Sequence, residues 1–286
     1  MILFKQVEEL RSHLEKERAK GSKIGFVPTM GALHKGHLSL IDRSVADTDI
    51  TVCSIFVNPT QFNESADLKK YPRTPGKDIS LLCEAGCQLL FMPHVEEIYP
   101  KNYQPKRTFD FGNLDKLMEG AKRPGHFQGM AQVVSRLLDI VDPDQLFMGQ
   151  KDFQQATIVQ SMLEQMESST QLVVCPIVRE EDGLAMSSRN VRLTKEQRRL
   201  APNIYRTLKA ARDKTSTRSP KQIEDEALRM LAIPGMEPEY FRVVNGKTLM
   251  PIDRFDEVGF AVACTAVRLG EIRLIDNIIL KNKPSR

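Results

Sequence analysis

The chain reads as an α/β protein, a parallel sheet wrapped by helices and followed by a smaller α+β domain. Three observations carry that reading. Short apolar runs at residues 24–27, 50–57, 88–92, 145–148 and 172–177 alternate with helix-period segments, the rhythm of βαβ units. Glycine-bearing polar loops stand between these runs and the helices that follow. Near residue 178 the composition shifts, and three longer strand-like runs at 240–244, 259–267 and 272–280 close the chain. The boundary is therefore expected between a first domain at 1–177 and a second at 178–286. At 286 residues with 41% hydrophobic content, the chain can build a core for each.

Taken in order, the N-terminal segment is an amphipathic helix with Val7, Leu10 and Leu14 on one stripe. Its four-residue apolar start is too short for a signal peptide or a membrane span. A buried strand at 24–27 feeds a helix opened by Leu38, Leu40 and Ile41. The β-branched and almost continuously apolar run at 50–57 fits a strand buried on both faces. A helix is expected from about Pro75 to Ala85 with a Gly86 stop, then a strand at 88–92. Residues 96–125 are rich in Pro, Gly, Lys and Asn, with an edge strand expected near 108–111. A long helix starts at about Phe127, and strands at 145–148 and 172–177 complete a sheet of about five. In the second domain Thr194 with Gln197 makes a capping box, and Ser219 with Pro220 marks a further helix start. An asparagine-glycine turn at Asn245-Gly246 separates the closing strands.

Composition excludes several classes. The +4 net charge comes from 41 basic against 37 acidic residues, without the clustered cations and interleaved aromatics of a nucleic-acid binder. Five cysteines form no metal-spaced cluster and no disulfide framework, as in a cytoplasmic protein. Cys83 and Cys87, four apart on the expected helix, read as small apolar residues facing a core.

The most informative stretch is 24–41, IGFVPTMGALHKGHLSLI: a strand, a tight turn and a helix start. Such a helix N-terminus presents unpaired N–H groups and the positive end of its dipole, where phosphates bind. Neither G-x-G-x-x-G nor G-x-x-x-x-G-K-[ST] is present here. Instead His34 and His37 stand three apart across Lys35-Gly36, a spacing that puts both imidazoles on one face of the first turn. They read either as a phosphoryl grip or as surface and capping residues.

Other polar groups lie on strand-to-helix loops. Asn58 and Gln61 follow the second strand and suit either a small polar substrate or turn chemistry. Arg123 and His126 sit in a Gly/Pro loop, facing a ligand or shielding the loop. Lys151 follows Gly149, with Gln154 and Gln155 on the next helical turn, and Ser187, Ser188 and Arg189 end a polar loop after the last parallel strand. Asp78, near a helix start, is favoured there by the dipole alone.

PTMGALHKGH closely resembles the nucleotide-binding signature of the pantothenate synthetase (pantoate–β-alanine ligase) family, one of the HIGH-motif nucleotidyltransferases. IFVNPTQF, DLKKYPRT, RPGHFQGM, VDPDQLFMGQKDFQQ and MSSRN extend the resemblance over nearly the whole chain. It implies a Rossmann-like ATP- and pantoate-binding first domain, a C-terminal lid domain, a homodimer, and use of ATP with Mg²⁺. The implied reaction makes pantoyl adenylate with loss of pyrophosphate, after which β-alanine displaces AMP. ATP would be held by Met30, Gly31, Ala32, Leu33, His34, Lys35, Gly36 and His37. Gly149, Gln150, Lys151, Asp152, Val178, Met186, Ser187, Ser188 and Arg189 would complete the nucleotide set. His37 stands at the proton-donor position, with His34, Lys151 and Arg189 on the phosphates. Gln61, Gln155, Arg123 and His126 correspond to the pantoate and β-alanine positions. No protein ligand set for a metal is visible, so Mg²⁺ is expected to arrive on the phosphates. In some family members several acids follow YPRT, whereas here Asp78 stands alone. Two alternatives stand beside this one: another HIGH-motif nucleotidyltransferase, and a nucleotide-binding module without turnover.

Overall fold

The computed structural model describes residues 1–61, 68, 71–105 and 107–282. Its contacts gather into two compact units. One holds Met1–Gly149 and Ile158–Cys175, the other Gln150–Thr157 and the chain from Pro176 onward.

The first unit is built on a parallel sheet of β1 (Ile2–Phe4), β2 (Ile24–Thr29), β3 (Ile50–Ile55), β4 (Leu89–Phe91), β5 (Gln145–Gly149) and β6 (Gln171–Cys175), in the order β1-β4-β3-β2-β5-β6. The sequence suggested about five strands; the sixth is β1. It is three residues long, too short to show a period, and pairs Ile2, Leu3 and Phe4 with Leu89, Leu90 and Phe91 at the sheet edge. The inner strands β2, β3, β4 and β5 are covered on both faces, whereas the edge strands β1 and β6 expose Ile2, Leu3 and Val174. Phe26, Leu89 and Leu146 point into one core, while Val27, Leu90 and Phe147 point into another. Successive side chains alternate sides, so a doubly covered strand must be apolar throughout.

The described helices of this unit include α1 (Val7–Ala19), α2 (Lys35–Asp47), α3 (Pro75–Glu84), α4 (Val95–Ile98), α5 (Met118–Lys122) and α6 (His126–Val141). Val7, Leu10 and Leu14 are the buried stripe of α1. Gly25 lets α2 lie close on β2: a Cβ there would stand 2.3 Å from Ser44 Oγ and 2.6 Å from Thr48 Oγ1. Ser44 is buried but satisfied, its Oγ 2.8 Å from Thr51 Oγ1. The next helix, α7 (Phe153–Gln165), begins in the second unit and ends in the first.

Two expectations need correction. The alternating segment at 108–111 is not a strand. Phe109 and Phe111 are buried side by side, stacked at 5.8 Å, and the backbone of Asp110 between them is met by the Gln165 amide, which accepts from its N–H at 3.1 Å and donates to its carbonyl at 3.0 Å. A side chain thus supplies what a neighbouring strand would. Of the cysteine pair only Cys87 is buried, its thiol pushed up to about 11 by burial, whereas Cys83 is exposed.

In the second unit, β7 (Glu237–Asn245), β8 (Phe260–Leu269) and β9 (Ile272–Asn282) form an antiparallel sheet in the order β7-β8-β9. The tight turn between β8 and β9 uses Gly270 at φ +58°. The expected turn at Asn245-Gly246 is present, and it opens a longer connection between β7 and β8. Asn245 Oδ1 accepts from the Lys247 and Thr248 amides at its start, and Gly246 N–H donates to Phe260 O across it. The helices α8 (Lys195–Leu200), α9 (Asn203–Asp213) and α10 (Pro220–Leu231) share a core with the sheet through Ile204, Leu208, Ile223, Phe241 and Ala263. Thr194 and Ser219 cap their helices as the sequence indicates, each in a reciprocal capping box. No helix among the described residues is long and apolar enough to cross a membrane.

Candidate active site

In an open parallel sheet, ligands bind beyond the carboxyl ends of the strands where the winding reverses. Here that point lies between β2 and its neighbour β5. β2 ends at Thr29, whose Oγ1 donates to Ser54 O at 2.8 Å and accepts from Gly31 N–H at 3.2 Å. Gly31 (φ +79°) and Ala32 (φ +51°) are consecutive left-handed residues, so the loop turns sharply and points successive amides inward. Those amides meet Asp78: Ala32 N–H donates to Oδ2 at 3.0 Å and Leu33 N–H to Oδ1 at 2.8 Å. Thr74 Oγ1 adds a third bond at 3.2 Å, and Asp78 is 1% exposed. The sequence explained Asp78 by the helix dipole; its larger task is to clamp the loop.

His34 is the N-cap of α2, and His37 is its third helical residue. His34 Nδ1 accepts from Gly36 N–H at 3.1 Å, and His37 Nδ1 accepts from His34 N–H at 3.4 Å. The rings lie 4.1 Å apart. An Nδ1 that accepts a backbone bond carries no proton, so in the neutral ring the proton is on Nε2. The capping reading is what the structure shows, each histidine engaging the backbone through Nδ1, and the other nitrogen of each neutral ring is a donor. Met30, Ala32, His34, Gly36 and His37 are half-buried, Gly31 and Leu33 are buried, and Lys35 is exposed.

Further along the same unit, Arg123 closes α5 and is half-buried, while His126 opens α6, is buried, and packs 5.2 Å from the Phe127 ring. Asn58 serves turn chemistry. Its Oδ1 accepts from Thr60 Oγ1 and Tyr99 Oη, both at 3.1 Å, and its Nδ2 reaches Gly129 O at 3.4 Å. Burial pushes the Tyr99 phenol up to about 12, so it remains a neutral donor. Asn58 therefore shapes the turn that ends at Gln61; the Gln61 side chain lies outside the described residues. Gly129 permits that arrangement, since a Cβ there would stand 2.6 Å from Thr60 O. Gly129→Ala is expected to displace this turn, costing about 1–3 kcal/mol by overpacking and raising the KM for the small carboxylate substrate more than that for nucleotide. Steady-state kinetics with urea unfolding checks both.

The remaining candidates, apart from Gly149 at the end of β5, belong to the second unit. Gln150–Asp152 form a single 3₁₀ turn, with Lys151 Nζ 3.9 Å from Asp152 Oδ2. Gln155 is half-buried on the first turn of α7, whereas Gln154 beside it is buried. Val178 O accepts from Met186 N–H at 3.0 Å, closing the excursion between them. Ser187 Oγ accepts from Arg189 N–H at 3.2 Å, and Asn190 Nδ2 holds Ala185 O at 3.1 Å. Ser188 is half-buried and Arg189 exposed. Sequence reading missed Asn277, whose Nδ2 donates to Gln150 O at 2.9 Å and Lys151 O at 3.0 Å. A contact 126 residues away leaves no local pattern to find.

Comparison with known proteins matches this chain, over residues 2–279, to the family model described as Pantoate-beta-alanine ligase. The chain belongs to that family. It is similar to the pantothenate synthetase of Porphyromonas gingivalis, 49% identical over 279 residues that cover 97% of this chain and 99% of the relative. The Bacteroides fragilis pantothenate synthetase is 46% identical, covering 98% and 99%. Among solved structures, pantothenate synthetase from Thermus thermophilus superposes with a TM-score of 0.90 at 43% identity, covering 98% of this chain and 100% of that one. The pantoate-beta-alanine ligase of Francisella tularensis, complexed with beta-gamma ATP and beta-alanine, gives 0.79 at 34% identity with full coverage of both chains. The family's enzymes are ligases of pantoate and β-alanine, and this chain is one of them.

Proposed function

We propose that the chain condenses pantoate with β-alanine through a pantoyl adenylate. The observation that carries the residue assignment is the His34–His37 pair, whose Nδ1 atoms are both engaged by backbone N–H groups at a helix N-terminus. A pantoate carboxylate oxygen attacks the α-phosphorus of ATP, the bond to the β-phosphate oxygen breaks, and pyrophosphate leaves. Negative charge grows on the α-phosphoryl oxygens and the leaving group, where Nε2–H donors held in advance lower the barrier. His37 donates there with His34 beside it, and Lys151, Ser188 and Arg189 hold the β and γ phosphates. The β-alanine amine then attacks the acyl carbon, loses a proton and expels AMP. Gln61, Gln155, Arg123 and His126 hold the two carboxylate substrates.

Alignment does most of this work, since no side chain becomes a covalent nucleophile. Among the described residues no group of three or more His, Cys, Asp or Glu could hold a metal, and the side chains assigned to the phosphates, His34, His37, Lys151, Ser188 and Arg189, are imidazole, cationic or hydroxyl. This set suits Mg²⁺ held through phosphate oxygens, where it neutralises charge on the triphosphate. The domain at 1–177 binds ATP and pantoate, and that at 178–286 acts as a lid that keeps water from the labile acyl adenylate. The enzyme works as a homodimer in the cytoplasm.

The test follows pyrophosphate released from ATP with Mg²⁺ and pantoate, then AMP and pantothenate after β-alanine is added. Pyrophosphate that depends on pantoate alone, with pantothenate appearing only after the amine, is the expected result. ATP binding without pantoate-dependent pyrophosphate would overturn the mechanism.

A further inference from the structure

Two adjacent residues of β9 hold both segments assigned to the triphosphate. Asp276 is 4% exposed and accepts a bidentate pair from Arg179, Nη1 to Oδ2 at 2.7 Å and Nη2 to Oδ1 at 3.0 Å. The same guanidinium donates to Gly183 O at 3.1 Å and Asn277 O at 3.3 Å, and lies 3.8 Å over the Tyr205 ring. Arg179 is thereby fixed on every side. It stands one residue after Val178, in the excursion that returns through Met186 to Ser187, Ser188 and Arg189. Asn277, 2% exposed, turns the other way: its Nδ2 holds the carbonyls of Gln150 and Lys151, and its Oδ1 accepts from Gln150 Nε2 at 3.0 Å.

We propose that Arg179, Asp276 and Asn277 are positioning residues for the adenylation half-reaction, setting the Lys151 turn and the Ser187–Arg189 loop in register from one stretch of β9. None touches substrate. Asn277 bonds the backbone that carries Lys151, whereas Asp276 fixes Arg179, which bonds Gly183 O in the excursion that leads to Ser187, Ser188 and Arg189. A lysine side chain is long and flexible, so its ammonium can be aimed only if its main chain is fixed. Asn277 supplies that by occupying both carbonyls of the turn. Arg179 does the same for the second segment through the excursion at its base. The inference rests on the assignment of Lys151, Ser188 and Arg189 to the triphosphate. It predicts that the second half-reaction, which involves no triphosphate, is indifferent to the network.

The experiment compares the two half-reactions in the full-length chain. Asn277→Ala is expected to slow pantoate-dependent pyrophosphate release by roughly 10- to 100-fold, while pantothenate formation from prepared pantoyl adenylate and β-alanine continues at the wild-type rate. An equal loss in both halves, or no loss in either, overturns the proposal. Tyr205→Leu removes the ring that lies beneath Arg179 and beside Gly183, away in sequence from the residues assigned to the phosphates. It should show a smaller loss confined to the first half, and it decides by the same comparison if Asn277→Ala does not fold. In a Lys151→Ala background Asn277→Ala should cost little more, because both changes disable one element; additive losses count against the network. Lys151→Ala releasing pyrophosphate at the wild-type rate overturns the assignment of Lys151 and the network with it. An impaired Lys151→Ala beside an unimpaired Asn277→Ala overturns the network alone.

Discussion

Replacing His37 with alanine is expected to slow pantoate-dependent pyrophosphate release about 100- to 1,000-fold, the cost of removing one donor aimed at developing transition-state charge. The size of the effect follows from how the ring is held. His37 Nδ1 accepts from the His34 amide, which fixes the tautomer and directs Nε2–H away from the backbone. Alanine removes that donor, and the substrate can replace it only with water, whose dipoles must reorganise as charge develops. The same change frees one amide at the start of α2, so about 1 kcal/mol of stability should be lost as well. His37→Gln returns a donor and part of the rate. Single-turnover pyrophosphate release together with urea unfolding separates the two effects, and an undiminished rate in His37→Ala would remove His37 from the mechanism.

The second large effect belongs to Asp78. Asp78→Ala leaves the Ala32 and Leu33 amides without their buried acceptor. Each such group costs on the order of 1–3 kcal/mol, so a loss of about 3 kcal/mol is expected. Asp78→Asn should fall between, because an amide offers one acceptor oxygen and turns an NH₂ toward the other donor. The KM for ATP should rise in both variants, since the loop that opens α2 loses its clamp. Urea midpoints and ATP kinetics decide the matter. Wild-type stability in Asp78→Ala would leave Asp78 with the helix dipole as its only task.

Much of the first unit was legible because its inner strands are buried on both faces. Residues 24–27 and 50–57 announce β2 and β3 by almost continuous apolarity, and Val7, Leu10 and Leu14 announce α1 by their spacing. What failed was local pattern without a local cause. Phe109 and Phe111 alternate as a strand would, yet the Gln165 side chain takes the place of a ladder. β1 exists only because β4 offers it an edge. At the site, the residue types and spacing of His34 and His37 pointed to phosphate chemistry, but the division of each ring between cap and donor needed coordinates. The loop-clamping role of Asp78 and the whole of Asn277 escaped sequence reading for a shared reason: each supports a loop distant in sequence, so neither its neighbours nor its spacing reveals the partner.

The consecutive left-handed residues Gly31 and Ala32 form the kind of amide concavity that ordinarily captures a free anion. In this chain the concavity is already filled by the carboxylate of Asp78. Inorganic phosphate or sulfate arriving from solution therefore finds its natural seat taken. The loop is held in shape by a carboxylate of its own chain, so its conformation does not wait on a bound ion.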